Sequence, residues 1–539
     1  MKTLFYRADP VLFDAEKPFD AFLVHEGMIT GTGTFEMLKS QLTPGDITVD
    51  LGGKPVIPGL TDCHLHLLAY AATKERVVNL KGLASLEEIQ TRVTSFIREK
   101  KIKQNCWVNG SGWNHDLFRD RKIPDRYDLD KISTEHPIKL LRMCYHICVV
   151  NTKALELAGI DRKTPDPEGG RIDRDAEGYP TGVLREKAMA LLDRVIPQIK
   201  DKAEIKDLII SSCADLIKNG FTTVHTDDFG FAGDRQTLLD TYRELDEAGL
   251  LPLEVVLQMI IYAPDDLRFY LDNDLQTGTR FKRLSAGPVK ILADGTLGAR
   301  TAALRTPYHD DPETSGFMLI PEQDLDLMIQ QAFINGFNVA VHAIGDLTME
   351  TVLNIYKKYR NLIKKYDLKP SVIHCQIASP SVLNKFKQLK IIANFQPIFL
   401  HSDWNVAEER VGKKRLKTSY CWKTFTDMGI PCVGSSDAPI ENFNPFWNIY
   451  TAAARKDLDG MPLEGWIPEE ALSREEALKL FTLYPPLLTG ETDRKGQLKA
   501  GFTADFAVLS DHPYTVSENE LKNIKVLATY KEGHKVYGA

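Results

Sequence analysis

Between about residues 56 and 435 the chain repeats one unit: a short, continuously apolar run, an amphipathic stretch, then often a glycine. Apolar runs that do not alternate belong to strands buried on both faces, and parallel strands of that kind need helical crossovers. Eight such runs stand out: Val56–Leu60 leading into His64, Thr222–His225, Leu253–Ile261, Leu284–Leu292, Asn338–His342, Ser371–His374, Ile391–Phe395 and Pro431–Ser435. Gly220, Gly336 and Gly429 follow the helical stretches at 203–219, 325–335 and 423–428, where a glycine C-cap belongs. Eight repeats of strand, helix and stop predict a (β/α)8 TIM barrel, barrel strand 1 lying within 58–70 and the rest within 203–488.

One interval breaks the rhythm. About 150 residues follow His66 before the second strand, where a barrel unit takes roughly 30 to 40. Residues 71–202 are therefore expected to form an inserted α/β domain that caps the site. The ends, 1–57 and 489–539, read as short strands and turns, and pair in expectation into one small β-sandwich domain.

Composition excludes several classes. Of 539 residues, 43% are hydrophobic and 26% charged, with a net charge of −7, so nothing offers a basic footprint for nucleic acid. No run approaches the ~20 apolar residues of a membrane span, and the first residues carry no secretory-signal pattern. The eight cysteines are scattered without a CxxC pair and read as reduced thiols, so the expected location is cytoplasmic.

The strand ends carry the chemistry. His64 and His66 close the first apolar run, and residues i and i+2 of a strand face the same way, so two imidazoles converge on one point. Such a point suits a divalent metal. Lys290 lies in the fourth strand, His342 ends the fifth, His374 ends the sixth and Asp437 follows the eighth. Singly, each has a plain structural role available: a hydrogen-bonded rim histidine, a lysine paired with Asp294, an N-cap aspartate. Jointly they occupy the end of the barrel that carries active sites. His225, also at a strand end, is read as structural or supporting. Cys63 is read as barrel packing.

The motifs Pro58-Gly-Leu-Thr-Asp-Cys-His-Leu-His, Gly110-Ser-Gly-Trp-Asn, His146-Ile-Cys-Val-Val-Asn, Gly182-Val-Leu-Arg-Glu, Lys290-Ile-Leu-Ala-Asp-Gly-Thr, His342-Ala-Ile-Gly-Asp, His374-Cys-Gln, Gln396-Pro-Ile-Phe and Ser436-Asp-Ala-Pro run in order along nearly the whole chain. In these the chain resembles the metal-dependent amidohydrolase superfamily, and more narrowly its YtcJ-like branch, which includes N-substituted formamide deformylases. After Gly112-Trp113 the branch commonly places Asp or another small polar residue, whereas this chain has Asn114 and His115, a departure that bears on specificity.

The resemblance implies a two-metal centre, zinc by default with Mn, Fe or Co fitting the same ligands. His64, His66 and Asp437 would hold one ion and His342 and His374 the other. Lys290 would carry a CO2-derived carbamate bridging both. A bare ammonium beside two dications would be repelled, and carboxylation reverses that sign. Asp437 would act as general base and acid in hydrolysis of a non-peptide C–N bond of an amide, N-acyl or N-formyl compound. Trp113, His115, His146 and Asn151 of the insert are candidate substrate contacts. Arg300 and Arg305 either anchor a substrate carboxylate or close structural salt bridges, and Gln396 and Ser436 neighbour the site.

Three alternatives stay open: lactone or ester hydrolysis by the same groups, a mononuclear deaminase-like centre with Lys290 unmodified, and a non-catalytic binding or regulatory protein. The expected partner is a small molecule, and a homodimer is the base-rate assembly.

Overall fold

The computed structural model describes residues 1–13, 18–143, 147–167 and 169–538. Two compact units emerge, one made of Met1–Tyr70 with Lys200–Ala539, the other of Ala71–Ile199.

The larger unit contains eight parallel strands: β1 (Leu60–Leu65), β2 (Phe221–Thr226), β3 (Glu254–Ile260), β4 (Leu284–Leu292), β5 (Val339–Ala343), β6 (Ser371–His374), β7 (Ile392–Phe395) and β8 (Cys432–Gly434). Each pairs with its sequence neighbour, and β2 pairs back to β1. The turn after β8 meets the end of β1 through Asp437 N–H to the His64 carbonyl and His66 N–H to the Ala438 carbonyl, both 2.9 Å. The result is a nearly closed (β/α)8 barrel. All eight strands run the same way, so their C-terminal ends, and the loops that follow, share one rim.

The crossover helices form for local reasons. In Lys202–Lys218, Asp201 caps the first turn by accepting the Glu204 N–H. Ile205, Leu208, Ile209, Ser212, Cys213 and Leu216 then recur at spacings of three and four and are buried. Each fully buried aliphatic side chain among them contributes about 1.5–3 kcal/mol. Gly220 (φ +88°) breaks the helix and turns the chain into β2.

The first strand differs from its sequence reading. Val56–Pro58 belong to a long strand, Ile47–Pro58, of a different sheet, and the barrel begins only at Leu60. Gly59 is the joint: its N–H donates to the Asp505 carbonyl at 2.8 Å, and a Cβ there would overlap the Thr222 side chain. Ile47–Pro58 sits inside one continuous seven-stranded sheet built from both ends of the chain, in the order His534–Tyr537, Val526–Lys531, Phe506–Leu509, Ile47–Pro58, Lys2–Pro10, Ala21–His25, Met28–Gly33. Phe5, Phe22, Phe506 and Tyr530 pack on one face, with Phe506 and Tyr530 stacked at 4.4 Å.

The second unit is built on a six-stranded mixed sheet with its own core, which includes Val78, Leu80, Ile89, Val93, Leu129 and Leu140. Among the described residues no helix is long and apolar enough to cross a membrane. The seven described cysteines are unpaired, six of them buried.

Candidate metal centre

Four imidazoles meet at the C-terminal rim of the barrel. The His64 and His66 rings lie 5.0 Å apart, His64 and His374 6.2 Å, and His342 and His374 4.3 Å between centroids. Lys290 Nζ stands 3.0 Å from His64 Nε2. Asp437 Oδ1 lies 3.2 Å from His64 Nε2 and 3.1 Å from His66 Nε2. His64, Lys290, His342, His374 and Asp437 are all buried.

Each ring has one nitrogen tied to an oxygen. His64 Nδ1 meets Gln258 Oε1 at 2.6 Å, His374 Nδ1 meets Gln396 Oε1 at 2.7 Å, and His66 Nδ1 meets the Asp227 carbonyl at 2.7 Å. His342 is turned the other way, its Nε2 facing the Gly295 carbonyl at 3.2 Å. An amide or carbonyl oxygen only accepts, so in each pair the ring nitrogen donates. The opposite nitrogen then presents a lone pair, the arrangement that orients metal-binding histidines.

Those lone pairs face a carboxylate, which also only accepts. His64, His66 and Asp437 bring their ligand atoms within 4.8 Å of one another. Such a set lacks a cation, and a proton or a metal ion supplies it. Burial works against a charged His66, but the Asp437 carboxylate lifts it to about 9. Burial, with Lys290 nearby, pushes His64 down to about 3. Burial alone would raise Asp437, but the His64 and His66 imidazoles against it hold it well below the usual carboxylate range. The donor set fits a divalent cation.

The backbone aims these groups at a cost. His374 (φ +82°) and Asp437 (φ +60°) sit in the left-handed region, a strain of about 1–3 kcal/mol each that surrounding structure must hold. Asp437 is pinned by its N–H to His64. Beside it Asp62 accepts the N–H of His64 and of Ser436, each at 3.1 Å, and burial lifts its carboxyl to about 7.

Lys290 does not pair with Asp294, as the sequence invites. Asp294 instead accepts the backbone N–H of Ala303, Ile344 and Gly345, at 3.1, 3.1 and 2.9 Å, tying the loop after β4 to the loop after β5. Lys290 forms no ion pair among the described residues, and burial lowers its pKa.

The softer candidates fall elsewhere. Trp113 packs in the core of the insert, its indole N–H donating to the Leu140 carbonyl at 2.9 Å, so its apolar face is spent on that core. His115 receives the Arg142 Nε–H at 3.3 Å. His146 lies outside the described residues. Asn151 caps a helix and bridges the Ser133 and His136 carbonyls. Arg300 pairs with Asp310 through two nitrogens, and Arg305 pairs with Glu350. Gln396 orients His374. Its Nε2 also donates to Ser435 Oγ at 2.7 Å. His225 lines a cavity of about 160 Å³ with Ser285, Gly287 and Asn338, from the N-terminal ends of β4 and β5, opposite the imidazoles.

Sequence reasoning missed Gln258 and Asp227. Gln258 had a signal: it is the one amide inside the apolar run Val255-Val-Leu-Gln-Met-Ile. Asp227 is buried with one carboxylate oxygen, Oδ1, unpartnered. Its neighbour Asp228 is fully engaged by Leu68 N–H, Thr226 and Tyr242.

A parallel barrel whose rim gathers four oriented imidazoles, a buried lysine and a strained aspartate defines a metal-dependent hydrolase scaffold. The model of the amidohydrolase family matches residues 48–537, and the chain belongs to that family. It is 33% identical over 524 residues to the putative amidohydrolase YtcJ of Bacillus subtilis (strain 168), covering 96% of each chain. It is 29% identical over 530 residues to the N-substituted formamide deformylase of Arthrobacter pascens, covering 95% of this chain and 94% of that one. Among solved structures it resembles an uncharacterized metal-dependent hydrolase from Pyrococcus horikoshii OT3, with a TM-score of 0.80 at 27% identity over the full length of both.

Proposed function

We propose that the protein hydrolyses a non-peptide C–N bond, R–CO–NH–R′ + H2O → R–COOH + R′–NH2, in an amide, N-acyl or N-formyl compound. The observation that carries this reading is the set of four imidazoles, each with one nitrogen held by an oxygen acceptor, two of them turning the other nitrogen to Asp437. His64, His66 and Asp437 would hold one divalent ion, and His342 and His374 a second. The default metal is zinc, and Mn, Fe or Co suit the same donors. When bound, such ions supply an activated water and a Lewis acid for the carbonyl.

The chain's own groups do the rest. Asp437 takes the proton from water and delivers it to the leaving nitrogen. Gln258 and Gln396 keep His64 and His374 in the tautomer that donates away from the centre. Lys290, buried without an ion pair, is the group in which carboxylation by CO2 replaces an isolated amine with the anion that two dications need. The N-substituted formamide deformylase among the relatives supports the N-formyl end of this range.

A mononuclear deaminase-like centre is the second reading, favoured by the compact grouping of His64, His66 and Asp437 alone. Metal analysis, intact mass under CO2 and the Lys290→Ala variant separate the two. Two ions per chain, a carbamate mass and loss of amide cleavage in Lys290→Ala support the first. One ion and undiminished activity without Lys290 overturn it.

A further inference from the structure

Around the metal centre the barrel loops leave large apolar side chains in solvent. Phe231 packs against the His66 ring at 4.9 Å. Phe399, itself buried, stacks on His374 at 5.8 Å and forms the floor beneath them. Leu292 ends β4 two residues after Lys290, on the same face of the strand. Ile440 donates its N–H to the Asp437 carbonyl at 2.9 Å, and Leu319 donates to Ala293 at 2.8 Å. Tyr262 follows Ile261, whose N–H bonds the Lys290 carbonyl at 3.0 Å. Phe231, Tyr262, Leu292, Leu319 and Ile440 are 36–59% exposed. Single exposed apolar residues need no explanation, but Phe231 against the His66 ring and Ile440 one hydrogen bond from Asp437, with Leu292, Leu319 and Tyr262 on neighbouring loops, mark a surface kept for an apolar ligand.

The arginines of two of these loops are spent. The loops after β4 and β7 carry four arginines. Arg300 and Arg410 share Asp310, Arg305 pairs with Glu350, and Arg415 donates to Thr306 and Pro307. None is left to hold a carboxylate.

We propose that the loops after β2, β3, β4, β7 and β8 form an apolar collar that selects an uncharged substrate bearing a bulky alkyl or aromatic group next to the scissile bond, and that rejects N-acyl amino acids. This rests on the hydrolase reading above and narrows its substrate class.

The test is calorimetric titration of the metal-loaded protein with three hydroxamates that share one chelating head: acetohydroxamate, octanohydroxamate and the monohydroxamate of succinic acid. The collar predicts that the octanoyl compound binds at least about tenfold more tightly than the acetyl one, a gain of ~1.4 kcal/mol, and that the succinyl compound gains nothing. Phe231→Ser and Ile440→Ser, both at exposed positions, should each shrink the octanoyl gain with metal content retained. Equal binding of octanoyl and acetyl compounds, tighter binding of the succinyl one, no binding at all, or a gain untouched by both variants overturns the collar. In parallel, N-alkyl formamides and acetamides are assayed for cleavage. A tail-dependent Kd with no amide cleaved keeps the collar and removes the proposed reaction. Cleavage without tail dependence does the reverse.

Discussion

Gln258 in β3 and Gln396 just after β7 do one job: each amide oxygen takes the Nδ1 hydrogen of an imidazole and leaves Nε2 without one. Replacing either with Leu keeps the volume and removes the acceptor. The buried ring is then free to rotate or change tautomer, and metal affinity should fall about 10–100-fold with the fold intact, read by competition with a chelating dye. Unchanged affinity in both variants would mean that packing alone orients the rings. The six candidate ligands were legible in sequence because their types are rare at strand ends and recur in step with the barrel. The two glutamines were not, since a lone amide in an apolar strand has no periodicity to announce it. Asp227 was hidden differently: Asp227-Asp228 reads as a polar turn, and only the fold reveals that one carboxylate is satisfied and the other is not.

Strands and loops set how these side chains are held. Asp294 clamps the loop after β4 to the loop after β5 by taking three backbone N–H groups. Its Oδ1 also stands 3.4 Å from His342 Nε2. Asp294→Ala strands those buried donors, each costing about 1–3 kcal/mol, and releases the loop that follows His342. The denaturation midpoint should drop, and the metal content per chain should drop with it. A destabilised variant that still binds its full complement would show that His342 is held by β5 alone. At Gly345 a Cβ would run into the Ala303 carbonyl oxygen, so Gly345→Ala should damage the same loop pair, visible as lost thermal stability. The strands themselves were readable, Leu284–Leu292 and Ser371–His374 to the residue. The first was not. Val56–Pro58 and Leu60–Leu65 read as one continuous strand-like stretch, and nothing local shows that the chain changes sheets at Gly59. Pairing with Phe506–Leu509, more than 400 residues away, decides it.

Across the larger unit, the terminal sheet and the barrel are joined by buried charge. Glu254, at the start of β3, takes Lys495 and Arg280, the latter at 3.0 Å, with Lys531 at 3.8 Å. Lys531 in turn pairs with Asp505 at 2.7 Å. Burial alone would raise the Glu254 carboxyl, but Lys495, Lys531 and Arg280 hold it down to about 2 from an ordinary 4.5. A depressed acid stabilises the fold fully above its ordinary value, and that contribution fades as pH falls toward 2. Acid unfolding should therefore steepen between about pH 4.5 and 2. Glu254→Ala, which takes one carboxylate from three cations while Asp505 and Glu491 remain, should lower stability at neutral pH and flatten that acid limb. Parallel acid curves for the variant and the parent would remove Glu254 as the cause. Sequence pattern gave no access to this network, because its members come from segments that only the closed fold brings together.

The hydrogen bonds that shut the barrel, from Asp437 to His64 and from His66 to Ala438, also set a clock. His66 and Asp437 are 371 residues apart in the chain. At roughly 5–20 residues per second of synthesis, the first two imidazoles wait about 20–75 s for the aspartate that completes their cluster. Until then they are a half-built chelate on a nascent polypeptide, exposed to whatever metal is at hand. A complete cluster can therefore exist only late in synthesis, after Asp437 has been made.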